Sequence, residues 1–261
     1  MNQDTSPENK YDLTVIVPTY NEEGNIKEIT GQIDAICKKS GINEEILVVD
    51  DNSPDKTQEY VKEMQNYMNN LHILIRYEDH GLSQSLYDGL YEAKSHLIQC
   101  IDADLSHPPE KIPEFYHLLK NENYDMVIGS RYVPGGETFD WPLYRKIISS
   151  GAAIIGRVFI PVVKDSGSGF FAINRRILKD ITLKPRGFRM GFEILGKSRW
   201  QKVTEIPIVF KDRVAGESKI KASVFTDFLV QCIHILYYNL CRGNPKNILK
   251  AWKMRLFPLR K

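Results

Sequence analysis

Cysteine is scarce in this 261-residue sequence, and its four copies (Cys37, Cys100, Cys232, Cys241) show no close pairing and no metal-ligand spacing. They read as buried thiols of a reducing compartment rather than as a disulfide framework. Long apolar runs are missing too. The most apolar segment, Phe228–Leu240, is 13 residues long and contains Gln231, His234 and Asn239, too short and too polar to cross a bilayer. Met1–Lys10 is polar and has no signal- or transit-peptide character. No repeat or low-complexity tract is visible. No Gly-x-Gly-x-x-Gly follows the first apolar run, which excludes the usual dinucleotide reading, and no Walker-type phosphate loop is expected. Finally, residues 241–261 contain no Asp or Glu but seven Lys/Arg, so the +2 net charge divides into a −5 body and a basic tail. Such a tail suits an anionic surface; it carries no nucleic-acid reading motif, so no nucleic acid is expected.

What is present is a regular alternation. Apolar, β-branched runs at Leu13–Pro18, Ile46–Asp51, Leu71–Tyr77, Ile98–Asp102 and Asp125–Ser130 read as strands. Between them, helices are expected over Glu22–Lys38, from Ser53 to about Asn69, from a Ser83 cap to about His96, and over Pro109–Asn121. Continuous apolar strands alternating with amphipathic helices mean an α/β protein with a mostly parallel sheet covered on both faces. Further on, helices are expected at Leu143–Phe159 and Arg189–Arg199, and a strand at Val203–Phe210 interrupted by Pro207. Two amphipathic helices follow, at 222–241 and 246–257; the first is expected to gather Phe225, Phe228/Leu229, Cys232, Ile235/Leu236 and Leu240 on one face.

The chemistry concentrates at strand ends: Tyr20-Asn-Glu22, Asp50-Asp51 and Asp102-Ala-Asp104. In an open α/β sheet the carboxyl ends of adjacent strands are where ligands sit. In extended backbone Asp102 and Asp104 leave on one face, and a hard cation shared with substrate phosphates is their natural partner where no phosphate loop exists. His80 and His107 read as surface loop residues and are given no role.

Pro18-Thr-Tyr-Asn-Glu22, Val49-Asp-Asp-x-Ser53, Asp102-Ala-Asp-Leu-Ser-His-Pro-Pro109 and Gly129-Ser-Arg-Tyr132 together resemble the inverting family-2 glycosyltransferases of GT-A fold. Arg145-Lys-Ile-Ile-Ser149, Asp165-x-x-Ser-Gly-Phe-Phe171 and Asp212-Arg-Val-x-Gly-Glu-Ser-Lys219 look like the dolichyl-phosphate mannose synthase group within it. The resemblance runs from about residue 12 to 220. It implies a GT-A catalytic domain over 11–220, behind a disordered N-terminus (1–10) and ahead of an amphipathic, basic membrane-interface segment (221–261).

The same resemblance implies roles. Pro18, Tyr20, Glu22, Val49 and Asp51 would line the pocket of a nucleotide sugar, GDP-mannose in the closest group, with Ala103 small enough to let it approach. Asp102 and Asp104 would hold Mg²⁺ or Mn²⁺ across the diphosphate; Ser106 stands where some relatives carry glutamine and is a weaker ligand. Arg213 and Lys219 would close over the diphosphate. Arg131, Arg145 and Ser149 would bind the monophosphate of a polyprenyl or dolichyl acceptor, with Asp104 and Arg131 central to catalysis. An ionised acceptor needs no general base. The expected product is a β-linked lipid-phosphate hexose. UDP-glucose or UDP-N-acetylhexosamine donors are the alternative, as is a silent nucleotide-sugar-binding subunit. The tail implies peripheral attachment to the cytoplasmic face of an anionic membrane, with a membrane-anchoring subunit as a further partner.

Overall fold

The computed structural model describes residues 10–139, 141, 143–184, 189–211 and 222–241. Arg213, Lys219, residues 1–9 and the tail helix expected at 246–257 lie outside them. β1 (Leu13–Thr19) is buried at all seven positions, as a β-branched run between two helical layers must be. It lies between β2 (Glu44–Asp50) and β4 (Leu97–Cys100), with β3 (Leu71–Ile75) beyond β2, all four parallel. Val15 and Val17 face a core shared with α1 (Ile26–Lys39), α2 (Thr57–Met64) and α4 (Ile112–Lys120). Ile16 faces the opposite core with α3 (Leu82–Glu92). There a side chain at Gly89 would come within 2.9 Å of Ile16 and 3.0 Å of Val49, so the missing Cβ lets α3 sit close on the sheet.

The second half departs from simple alternation. β5 (Met126–Ser130) does not pair with β4; β7 (Phe171–Asn174) enters between them, antiparallel to both. β8 (Val203–Pro207) closes the order β3-β2-β1-β4-β7-β5-β8. A small second sheet pairs β6 (Glu137–Thr138) with β9 (Val209–Phe210). The expected strand at 203–210 is thus split at Pro207, one piece in each sheet. α5 (Leu143–Phe159), α6 (Met190–Lys197) and α7 (Ala222–Cys241) complete the α3 side, with α7 packed on both α5 and α6.

Several local expectations are corrected. α1 starts at Ile26 because Glu22–Asn25 form a turn in which the Glu22 carbonyl accepts from the N–H groups of Asn25 and Ile26. α2 starts at Thr57 rather than Ser53, because the Ser53 N–H and hydroxyl both bond the Asp50 carboxylate. Gly81, not Ser83, precedes α3; its φ of 142° suits glycine, and Ser83 is buried inside the first turn. On α7 the buried face holds Phe228, Cys232 and Ile235 but also Gln231 and Asn239, while Leu229, Leu236 and Leu240 face outward. The Gln231 amide donates to the Arg189 carbonyl at 3.2 Å and that of Asn239 to Gly196 at 2.9 Å, which is why polar residues displace leucines there.

One string does have Walker spacing: Gly191-Phe-Glu-Ile-Leu-Gly-Lys-Ser198. The fold removes it as a phosphate loop. Its first seven residues lie in α6, and the Lys197 ammonium is buried against the Glu193 carboxylate one turn earlier.

Candidate active site

The carboxyl ends of β2, β1 and β4 are adjacent, which brings Asp50/Asp51, Tyr20/Glu22 and Asp102/Asp104 to one edge. Asp50 is fully buried and accepts from Thr19 Oγ1 (2.9 Å), Ser53 N (2.8 Å), Ser53 Oγ (2.6 Å) and Gln58 Nε2 (2.8 Å). It ties β1 to the start of α2. Asp51 takes Arg76 Nη1 at 2.5 Å and Gly81 N at 2.8 Å, and His80 Nδ1 lies 3.1 Å away. Arg76 is itself buried; it also bonds Asp88 (2.6 Å) and the carbonyls of Glu78 and Asp79. Pro18 and Val49 are paired in register, and both side chains are buried; Tyr20 stands exposed at the rim. The Glu22 side chain accepts from Asn25 at 2.8 Å.

β4 ends at Cys100, so Asp102 and Asp104 leave from a turn and not from extended backbone. Leu105 has φ 60°, a left-handed conformation that costs a leucine about 1–3 kcal/mol and persists only where surroundings enforce it. They do so here: Ser106 N donates to Asp104 Oδ1 (3.1 Å), and the Ser106 carbonyl accepts from Lys211 N (3.2 Å). Asp104 and Ala103 are buried, whereas the Asp102 side chain is 29% exposed.

His107 is not a surface residue. Only 2% exposed, it stacks on Phe170 (centroids 5.0 Å) and meets the edge of Phe210 (5.2 Å). Its Nδ1 accepts the backbone N–H of Asp102 at 3.2 Å and lies 3.7 Å from that carboxylate. Burial pushes the imidazole pKa down, against the pull of Asp102 and Asp104, so it stays neutral. The ring that props the Asp102 backbone is therefore already occupied at the nitrogen a general base would use.

On the other side of the edge, Arg131 forms a two-pronged ion pair with Asp165 (Nε–Oδ2 2.7 Å, Nη2–Oδ1 2.8 Å), reinforced by its own N–H at 3.0 Å. Burial opposes its charge, but Asp165 outweighs burial and raises the pKa. The guanidinium carbon lies 5.4 Å from the centre of the Trp141 ring, and that of Arg145 lies 4.1 Å from it. Tyr132 OH donates to Ser149 Oγ at 2.8 Å. Arg131, just past β5, and Arg145 and Ser149 on α5 are thus gathered around Trp141 and Tyr132. Phe210 touches both Trp141 (5.3 Å) and His107, so one aromatic row runs from the acid turn to the arginines. A further, half-buried cation, Arg189, sits over Phe228 at 4.2 Å; desolvation and then Arg131 lower its pKa.

The donor set fits a divalent ion only in part supplied by protein. Among the described residues no three His, Cys, Asp or Glu side chains gather as a metal site. A side chain on Gly169 would stand 3.4–3.5 Å from both Asp102 oxygens, so its absence keeps that carboxylate clear. Buried Ser106 Oγ, next to Asp104, has no hydrogen-bond partner among the described residues. Two carboxylates and a hydroxyl, with substrate phosphate oxygens for the rest, is a Mg²⁺- or Mn²⁺-type set.

The family profile of Glycosyl transferase family 2 matches residues 14–182, which include every strand end just described. The chain belongs to that family. A dolichol-phosphate mannosyltransferase of Pyrococcus furiosus is 42% identical over 220 residues; the match covers 83% of this chain and 61% of the relative's length. One from Saccharomyces cerevisiae is 32% identical over 256 residues, covering 94% of this chain and 95% of that protein. Among solved structures, a Pyrobaculum calidifontis mannosyltransferase in complex with GDP-Man and Mn²⁺ superposes with TM-score 0.62 at 17% identity, covering 96% of this chain and 76% of the other. Glucosyl-3-phosphoglycerate synthase of Mycobacterium tuberculosis, in complex with Mn²⁺, UDP and phosphoglyceric acid, gives 0.63 at 17%, covering 85% and 79%. The family-2 fold is therefore GT-A. Sequence reasoning passed over Arg76, Trp141 and Arg189 and gave His107 no role; the contacts that place them (Asp51, Arg131, Phe228 and Phe170) lie well away in the chain, and the one local signal was a tryptophan four residues before Arg145.

Proposed function

We propose that this family-2 glycosyltransferase moves mannose from GDP-mannose to a dolichyl or polyprenyl monophosphate, with inversion at the anomeric carbon. The observation that carries this reading is the pair of guanidiniums, Arg131 and Arg145, brought to one ring beside the acid turn. Two cations at the mouth of a nucleotide site suit an anionic acceptor. Its phosphate oxygen is already ionised, so no base need remove a proton, and the one imidazole in the turn has its Nδ1 in use.

In this reading Pro18, Tyr20, Glu22, Val49 and Asp51 border the nucleoside. The Val49 side chain packs in the core, so only its backbone faces the pocket. Arg76 and Gly81 fix Asp51 from behind. Asp102, Asp104 and Ser106 hold Mg²⁺ or Mn²⁺, which supplies charge neutralisation of the departing diphosphate. Arg131, fixed by Asp165, and Arg145 draw in the acceptor phosphate, with Ser149 as a hydroxyl donor. Arg213 and Lys219 add cations over the diphosphate.

Residues 11–220 are the catalytic domain and 221–261 the membrane-interface segment. No described helix is long and apolar enough to cross a membrane. α5 and α7 pack together, and each leaves apolar residues outside, Ile147 and Ile233 at 63% exposure among them. With the seven cations of 242–261 they suit the cytoplasmic surface of an anionic leaflet, alone or with an anchoring subunit. Truncation after Cys241 should release the protein from anionic liposomes; full co-sedimentation of the truncated chain removes the tail as anchor.

The deciding experiment offers GDP-mannose, UDP-glucose and UDP-N-acetylglucosamine with a polyprenyl phosphate and Mg²⁺ or Mn²⁺, read by mass spectrometry. Mannosyl-phosphoryl-polyprenol from GDP-mannose is expected. Product from a UDP-sugar alone overturns the donor, and no product from any donor favours the silent reading.

A further inference from the structure

The Trp141 ring supports two guanidiniums, yet its own polar atom is unaccounted for. The side chain is 92% buried (8% exposed), and its indole Nε1 has no hydrogen-bond partner among the described residues. Trp200, also buried, behaves in the ordinary way and donates to the Leu195 carbonyl at 2.9 Å. An indole N–H can only donate, and a buried one is expected to meet an acceptor.

Its surroundings say what kind. Two guanidiniums lie 4.1 and 5.4 Å from the ring centre, and a cationic neighbourhood favours an anionic acceptor atom over a neutral one. Arg131 is held by both oxygens of Asp165, and Arg145 lies nearer the Trp141 ring than Arg131 does. Ser149 follows Arg145 by one helical turn on α5. It accepts the Tyr132 proton, which leaves its own hydroxyl proton to be donated elsewhere.

We propose that the Trp141 indole N–H is a direct hydrogen-bond donor to the acceptor phosphate, beside the Arg145 guanidinium and the Ser149 hydroxyl. Trp141 is then both the platform of the acceptor site and part of its donor set. This rests on the reading of the acceptor as a phosphomonoester. A neutral N–H adds direction where the arginines add charge, so its loss weakens acceptor binding and leaves the nucleotide side alone.

The test uses the ¹⁵N-labelled full-length chain with farnesyl phosphate as the probe. The Trp141 indole cross-peak, identified by its disappearance in Trp141→Phe, should shift downfield as farnesyl phosphate saturates the protein, and should not shift with GDP and Mg²⁺ alone. Trp141→Phe keeps a ring for the guanidiniums and removes only the donor. Its acceptor KM should rise about tenfold, the loss of one charge-assisted hydrogen bond, with donor KM unchanged. Trp141→Leu should raise acceptor KM further. If other cross-peaks respond to farnesyl phosphate while the Trp141 indole does not, or if Trp141→Phe keeps the wild-type acceptor KM, the proposal is overturned. If GDP and Mg²⁺ alone move the indole, it belongs to the donor side and the proposal also falls. Should no cross-peak respond to farnesyl phosphate at all, it is the phosphomonoester reading itself that fails.

Discussion

The two sides of the catalytic edge solve opposite electrostatic problems. On the donor side, Asp50 and Asp51 are carboxylates whose oxygens are met by donors from the protein: a serine, a threonine, a glutamine, a backbone N–H and Arg76. These come from short loops at the ends of neighbouring parallel strands. On the acceptor side, Arg131, Arg145 and Arg189 crowd against aromatic rings, with Asp165 bonded to Arg131 alone among them. In the proposed reading, the first region is a hydrogen-bonded frame suited to an uncharged nucleoside, and the second is a cluster of guanidiniums suited to a second phosphate.

The largest test of that contrast removes the carboxylate that anchors the acceptor side. Asp165→Asn leaves Arg131 buried beside a neutral amide, and breaking such a pair costs about 3–5 kcal/mol. Urea unfolding should show that loss, and the surviving folded protein should still bind GDP with Mg²⁺. Equal loss of nucleotide affinity would mean the two regions are one unit. Asp104→Asn comes next: turnover should fall about 10²- to 10³-fold, the scale for losing one group that stabilises developing charge. Its melting temperature should move far less than that of Asp165→Asn. Turnover undiminished by EDTA in the wild type would remove the metal from the donor side.

His107 sits where the two regions meet, so it sharpens the boundary. His107→Phe keeps the stack on Phe170 and Phe210 but deletes the acceptor for the Asp102 N–H. If the ring positions Asp102, Mn²⁺ binding in the presence of GDP, read by electron paramagnetic resonance, should weaken about 10- to 100-fold, as for outer partners of metal ligands. Acceptor KM should change little. Unchanged Mn²⁺ affinity would reduce His107 to packing.

The donor side was legible in the chain because its chemistry follows strand ends in order: a β-branched run, then Tyr20-Asn-Glu22, Asp50-Asp51 or Asp102-Ala-Asp104. Burial on both faces makes such strands continuous and easy to see. The acceptor side was legible only through the family resemblance. Its key pair, Arg131–Asp165, spans 34 residues, and β7 comes between β4 and β5 by an antiparallel insertion that no local period encodes. His107 was misjudged for the same reason, since the rings that bury it are Phe170 and Phe210. On α7 the hydrophobic pattern placed Leu229 and Leu236 inside, but carbonyls of Arg189 and Gly196 select Gln231 and Asn239 instead.

The smallest test asks whether the donor half satisfies every buried acid with hydrogen-bond donors, as it does at Asp50. At the opposite end of β2, Glu44 is buried, and burial, joined by neighbouring Asp34, raises its pKa to about 7 against the lowering effect of its own backbone N–H and of the Asn70 amide 2.6 Å from Oε1. This acid is neutralised by a proton rather than by a cation. The folded protein therefore holds that proton more tightly than the unfolded chain, where the group titrates near 4.5. Stability from this site falls as pH rises between those two values and stays low above them. Glu44→Gln removes the titration and keeps the shape. Its melting temperature relative to wild type should increase between about pH 5 and about pH 8, with the two proteins converging in acid. A difference that is flat or shrinks with rising pH would mean Glu44 is held by hydrogen-bond donors rather than by a proton, and the donor half would then be a frame satisfied by partners from one end of β2 to the other.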